Sequence, residues 1–173
     1  MKKWVIVSLA LLLASFTLVL LNSWKIAPGF TIKFEGKYAQ GTFGKMNGTI
    51  EFDPKEPEKA VFDVAVEVAS IETGNDLKNK HARSEKWFAA EKFPLIRFKS
   101  STVMRADSGY LVTGDLEVRG IKKEVSIPFI FNEKGAAFHG HFKVNRGDFG
   151  IGKVTGKASD STAVEIYVPV FQQ

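Results

Sequence analysis

The sequence predicts an all-β fold: an eight-stranded antiparallel barrel with one or two short helices. Three observations carry this. Apolar residues recur with a period of two along most of the chain from Trp24 onward, the mark of half-buried strands with one wet face. Gly, Pro, Asn or Asp bound each of about eight such runs. The chain has 15 Phe against 3 Tyr and 3 Trp, so the inward set is apolar and bulky. For eight antiparallel strands an up-and-down barrel is the economical closure, because it leaves no free edge.

In chain order, Met1-Lys2-Lys3 precedes an apolar run from Trp4 to Leu21, interrupted only by Ser8, Ser15 and Thr17. Positive charge before such a run reads as a secretory signal. About 18 apolar residues also lie near the length of a membrane-spanning helix. Leu21-Asn22-Ser23 lacks the small residue wanted three positions before a cleavage site, and without cysteine a lipoprotein anchor is excluded. Residues 1–23 are therefore expected to be a signal peptide or a membrane anchor, with a buried core helix as the bland alternative, and residues 24–173 one domain. Either leading reading places the domain outside the cytoplasm: periplasmic or secreted after cleavage, or anchored to the inner membrane and facing the periplasm.

The strand readings follow. Ile32 and Phe34 oppose Thr31, Lys33 and Glu35; Ile50 and Phe52 oppose Thr49 and Glu51; Phe62, Val64, Val66 and Val68 oppose Asp63, Ala65, Glu67 and Ala69. Thr73 to Phe93 breaks the rhythm. Asn75 or Asp76 can cap a helix there, Leu77, His81 and Phe88 fall near helical spacing, and Pro94 stops the run. Alternation resumes with Ile96, Phe98 and Ser100; then Tyr110, Val112, Leu116 and Val118; Val125, Ile127, Phe129 and Phe131; Phe138, Phe142 and Val144; and Val164, Ile166, Val168 and Val170. Asp107-Ser108-Gly109 and Asn132-Glu133-Lys134-Gly135 look like hairpin connections, Gly120 a turn or a bulge, and Asp148 to Ser161 a loop.

Composition excludes several chemistries. With no cysteine there is no disulfide, thiolate nucleophile or cysteine-held metal. The net charge of +5 falls to about +3 without Lys2 and Lys3, and basic and acidic residues are interspersed, so the basic stripe of a nucleic-acid binder is missing. His139 and His141 share a strand face, but a third ligand is not visible and a solvated face is the simpler reading. No phosphate loop or nucleophile elbow appears, Gly150-Ile151-Gly152 lacks the strand–helix setting of a dinucleotide motif, and nothing marks an apolar pocket around Glu51 and Asp53. Binding rather than catalysis is expected.

Four blocks resemble the YceI-like family, lipocalin-like proteins that bind polyisoprenoid lipids, along essentially the whole chain after Trp24. Gly41-Thr42-Phe43-Gly44-Lys45-Met46-Asn47-Gly48-Thr49-Ile50 looks like the family's second strand. Ser70 to Asn75, His81 to Phe88 and Phe93 to Ser100 form the most specific block. Gly114 to Val125 and Arg146-Gly147-Asp148-Phe149-Gly150-Ile151 are the others. Family members often carry a His-Ser pair near the domain start, where this chain reads Pro28-Gly29-Phe30.

The resemblance implies a lipocalin-like β-barrel with helices over one side. It also implies an apolar tunnel that carries or sequesters an isoprenoid lipid, a quinone or a polyprenyl diphosphate, with no catalytic cofactor and no metal. Membrane contact for lipid exchange would follow, and a homodimer is left open. By alternation Phe34, Phe52, Phe62, Phe98, Phe138 and Phe142 are inward candidates. Trp87, Phe88 and Phe93 would close one end, and His81, Arg83 or Arg146 would meet the head group. The alternative for each aromatic is ordinary core packing, and for Arg146 a structural pair with Asp148. The competing function is a secreted or membrane-tethered interaction module whose barrel is filled and holds no ligand.

Overall fold

The computed structural model describes residues 23–156 and 160–172. The segment expected to be a signal peptide or anchor, residues 1–23, therefore lies outside the described residues, except that Ser23 belongs to the first strand. The strands are β1 (Ser23–Ile26), β2 (Thr31–Gly36), β3 (Gln40–Phe43), β4 (Met46–Glu51), β5 (Val61–Glu67), β6 (Ile71–Glu72), β7 (Leu95–Ala106), β8 (Gly109–Val118), β9 (Ile121–Asn132), β10 (Ala137–Asn145) and β11 (Ser161–Gln172). One helix, α1 (Asp76–Arg83), lies between β6 and β7.

These eleven segments make eight barrel positions, as the sequence predicts. The ring runs β1-β4-β5-β7-β8-β9-β10-β11 and closes where β11 pairs back on β1. All pairings are antiparallel. The first three positions are broken strands. β11 pairs with β2 through Thr162 to Tyr167 and with β1 through Val170 to Gln172, so β1 and β2 are two halves of one strand. The Pro28-Gly29 turn separates them, and Gly29 takes φ +91. Likewise β3 with β4, and β5 with β6, are halves of one strand each. A 3-10 turn at Val68–Ser70 divides the last pair.

The alternation that announces strands cannot announce a bulge. Along β7 the inward set begins with Ile96 and Phe98, but the register against β8 slips between Ser100 and Thr102. Beyond the slip the buried residue is Val103, on the opposite parity. The Ser100 hydroxyl accepts a hydrogen bond from the Phe62 amide at 2.9 Å, and the Ser101 hydroxyl donates to the Thr113 carbonyl at 3.0 Å, so side chains satisfy what the ladder loses. Gly114 faces the bulge, where a Cβ would sit 2.7 Å from Ser100 Cα and closer still to the Lys99 carbonyl.

The connection Arg119-Gly120 is a two-residue hairpin turn rather than a bulge. Both residues have positive φ, 54° and 73°, as a primed turn requires. The segment from Thr73 to Phe93 holds one α-helix, not two. Asn75 caps it, its side chain accepting from the Lys78 amide at 3.0 Å. The helix ends at Arg83, and Trp87, Phe88 and Phe93 follow in turns.

Gly114→Ala is expected to destabilise the barrel by about 1–3 kcal/mol, the usual cost of overpacking. Urea unfolding of the two proteins checks this. An unchanged midpoint would mean that the bulge can relax away from β8.

Candidate functional site

The barrel interior divides into a plug and a cavity. At one end Phe52, 0% exposed, packs its ring 5.0–6.3 Å from those of Phe62, Tyr110, Phe129, Phe131 and Phe138. Trp24 donates its indole N–H to the Phe52 carbonyl at 2.9 Å, and Arg105 donates to the Pro54 carbonyl beside it. Edge-to-face contacts of this kind add to the burial of the rings.

Above the plug lies a cavity of about 730 Å³. That is within the range of small-molecule sites, roughly 300–1,000 Å³. Its deep wall is apolar, with Phe62, Val112, Ile127, Phe129 and Phe138 among the lining side chains. Among the described residues its exposed lining comes from two places: Lys37 to Gln40, in the β2–β3 turn and at the start of β3, and Leu77, Lys78 and His81 on α1. The mouth therefore opens between that turn and the helix. α1 is held on β6 by Asn79, whose Oδ1 accepts from the Thr73 amide and hydroxyl and whose Nδ2 donates to Glu72 at 3.0 Å. The hydrogen bond from Asn79, then that from the Gly74 amide, hold the Glu72 carboxyl below its usual range.

One polar group of the wall is buried. Arg146, 8% exposed, begins the 3-10 turn Arg146–Phe149 and lines the cavity. It donates to the carbonyls of Ile151 (2.6 Å) and Lys153 (2.8 Å) and pairs with Asp160 at 2.5 Å. Its guanidinium stacks 4.9 Å from the Tyr38 ring at the mouth. The partner is thus Asp160, not Asp148. Asp148 is exposed on the 3-10 turn, while the chain returns through Thr155 and Gly156 to bury Asp160 completely. Burial alone would raise the Asp160 carboxyl. The Thr155 amide and hydroxyl, the Gly156 amide and Arg146 outweigh it and hold the group below its ordinary value.

Two buried donors remain without an acceptor among the described residues: Nε of Arg146 and the indole Nε1–H of Trp87. Both side chains line the cavity. They flank Gly152, where a Cβ would lie 3.2 Å from Arg146 Nη1 and from the Trp87 ring. Buried donors are rarely left unpaired without a reason.

Nine of the twelve residues singled out in the sequence line the cavity: Phe34, Phe62, His81, Trp87, Phe88, Phe98, Phe138, Phe142 and Arg146. Three do not. Phe52 forms the plug beneath it. Arg83 is exposed and donates to the Ala69 carbonyl, bracing the helix from outside. Phe93 packs under the hairpin turn, where a Cβ on Gly120 would lie 2.9 Å from its ring. The sequence reading missed Tyr38, Leu77 and Asp160. Tyr38 sits on a turn, where apolar periodicity gives no signal, and Leu77, which falls in the helical spacing, stands on an exposed helix face rather than in the core. His139 and His141 are exposed on the outer face of β10, His139 against Tyr167 at 4.7 Å. Among the described residues no group of three or more His, Asp or Glu is placed to hold a metal ion.

Comparison with known proteins agrees with this architecture. The YceI-like domain pattern matches residues 24–170. The UPF0312 protein of Serratia proteamaculans is 32% identical over 138 residues, 75% of this chain and 71% of that protein. A UPF0312 protein of Photorhabdus laumondii is 36% identical over 98 residues, a match that spans about half of it (51%) and 56% of this chain. Among solved structures, BcnA of Burkholderia cenocepacia superposes with a TM-score of 0.75 at 25% identity, covering 82% of this chain and 96% of BcnA. A polyisoprenoid binding domain from Saccharophagus degradans, 10% identical, has the same fold with a TM-score of 0.61, covering 88% of this chain and 99% of that one.

The Arg146–Asp160 pair gives a pH prediction. A carboxyl held below its ordinary value near 3.8 contributes stability above that pH, which is lost as pH falls through the folded-state value. Asp160→Asn is therefore expected to lower the urea midpoint at pH 7 and to flatten the loss of stability at acid pH. Equal acid limbs for the two proteins would show that Asp160 does not drive acid unfolding.

Proposed function

The chain belongs to the YceI-like family, and we propose that its barrel binds an isoprenoid lipid whose head group carries a neutral carbonyl, an isoprenoid quinone. The polyisoprenoid binding described for the Saccharophagus domain supports the lipid class. The cavity supports it physically. An isoprenoid tail has a large apolar surface, and its removal from water contributes about 25 cal/mol per Å².

One observation carries the head group: the two buried, unpartnered donors of Arg146 and Trp87. Arg146 has its charge balanced by Asp160 and three of its five N–H bonds directed at Ile151, Lys153 and Asp160, so it offers leftover N–H donors, Nε among them, rather than a free cation. Both side chains line the cavity, and a small turn of either that brought its N–H to the cavity surface would suit a carbonyl oxygen. A diphosphate would bring more negative charge than this part of the wall can balance, and would be drawn to Lys37 and Lys78 at the mouth instead. A filled barrel acting as an interaction module accords poorly with a cavity of this size. The chain is read as a carrier or store rather than an enzyme. Lys2, Lys3 and the apolar run that follows support a location outside the cytoplasm.

Native mass spectrometry of the chain purified without detergent tests this. The expected result is a stoichiometric adduct with ubiquinone and none with a polyprenyl diphosphate of similar tail. Trp87→Phe keeps an aromatic ring, a smaller one, and removes the donor. It should weaken quinone binding about threefold to tenfold, the worth of one hydrogen bond of ~1 kcal/mol, and leave a carbonyl-free prenyl hydrocarbon unaffected. An apo mass that ubiquinone does not change, or a diphosphate that binds more tightly, overturns the reading.

A further inference from the structure

Leu77 is 77% exposed, more than any other large apolar side chain among the described residues. It stands on the first turn of α1 at the lip of the cavity. Tyr38, 51% exposed, stands across the mouth on the β2–β3 turn. Val154, 48% exposed, lies beside them: Arg146, whose guanidinium stacks on Tyr38, donates to the carbonyl of Lys153, and a Cβ on Gly147 would lie 2.8 Å from Val154. Tyr38 and Leu77, from two separate chain segments, thus flank one opening, and Val154 lies on the loop beside Arg146.

A lysine adjoins each tip: Lys37 beside Tyr38, Lys78 beside Leu77 and Lys153 beside Val154. None of the three lies in an ion pair among the described residues; the same holds for Lys25, Lys55, Lys80, Lys86, Lys92, Lys123, Lys134 and Lys143, so what sets the three apart is their place beside the apolar tips. Nearby carboxylates are few. Glu72 is held by Asn79 and Gly74, Glu35 lies near Lys33, and Asp76 remains on the helix turn. Apolar tips ringed by unpaired cations match an interface of hydrocarbon beneath anionic head groups.

We infer that this rim docks on an anionic phospholipid surface, with the tips entering the head-group layer and the cavity mouth facing the bilayer. The purpose rests on the lipid-binding reading, since a docked mouth lets an isoprenoid pass between bilayer and barrel without crossing water. The docking itself can be measured apart from it.

The chain has no cysteine, so single cysteines can be placed at will. Leu77→Cys and Tyr38→Cys in the full chain, labelled with the environment-sensitive fluorophore NBD, report on the rim. Met104→Cys, an exposed position near the plug end of β7, reports on the opposite end. The probe surface is quinone-free vesicles of phosphatidylcholine with or without phosphatidylglycerol. Phosphatidylglycerol vesicles are expected to blue-shift both rim labels and shield them from aqueous iodide while Met104 is unaffected. Lys37→Glu and Lys78→Glu should each weaken this response at least about fivefold, and high salt should suppress it.

Equal responses at the two ends, or none at the rim, overturn the inference. So does a rim shift that appears without vesicles as protein concentration rises, which would identify a second copy of the chain as the occupant. Because the vesicles hold no quinone, either failure leaves the cavity reading to stand or fall on its own mass-spectrometric test.

Discussion

Pairing of β11 with β10 on one edge and with β2 and β1 on the other fixes the circumference of the barrel, and with it the interior that must be occupied. Eight strands leave room for side chains to fill, or for one small ligand. This chain does both, one above the other. Aromatic rings seal the end where β1, β4 and the β7–β8 hairpin meet. Just above this seal smaller aliphatic side chains such as Val112, Ile127 and Val168 open the space, and rings such as Phe34, Phe88 and Phe142 line the wall farther from the plug. Phe52 sets the floor, and what would be core elsewhere becomes a cavity above it.

Arg146 has a different part in the same plan. A buried guanidinium is tolerable only when its charge is balanced and its N–H groups are taken up. Asp160, Ile151 and Lys153 do this, tying the end of β10 to the loop that leads into β11. Arg119 reinforces the same corner, donating to the carbonyls of Gly150 and Glu85. The Gly152 amide donates to Lys86 at 3.0 Å, which brings the turn carrying Trp87 against this loop. The leftover Nε and the Trp87 indole thus belong to a corner where several chain segments are tied together by hydrogen bonds.

Much of this was legible in the sequence, and the parts that were not have physical causes. A period of two follows from the pleat, so the strands and most of the inward aromatics could be read directly. Parity fails after a bulge, which is why Val103 replaces residue 102 on the inward face of β7. Parity also carries no depth: Phe52 and Phe62 have the same parity in neighbouring strands, yet one is floor and the other wall. Ion-pair choice is a long-range matter. Asp148 is nearer to Arg146 in sequence, but the 3-10 turn points it outward and the Thr155-Gly156 turn delivers Asp160. Exposed tips such as Leu77 gain meaning only when the fold gathers them around an opening.

The position of that opening follows from where the sheet comes apart. β9 and β10 pair only through four residues at the plug end, Phe129 to Asn132 against Ala137 to Gly140. On the far side the strand breaks let β2, β3 and β6 build a small core of their own around Ile32, Phe34, Phe43, Val66 and Ile71. Phe30, Met46, Phe88 and Ile96 pack against both this core and the main one. Two separations at the same end cannot be bridged by backbone pairing, so side chains and turns bridge them: α1 and the Trp87 turn on one side, the Arg146 corner on the other. The buried donors come from such gaps, while the side chains that the continuous strands turn inward are mostly apolar. The buried donors and the mouth therefore share one end for a single reason, and an elongated ligand with a polar head and an apolar tail has one orientation that satisfies both halves of the cavity.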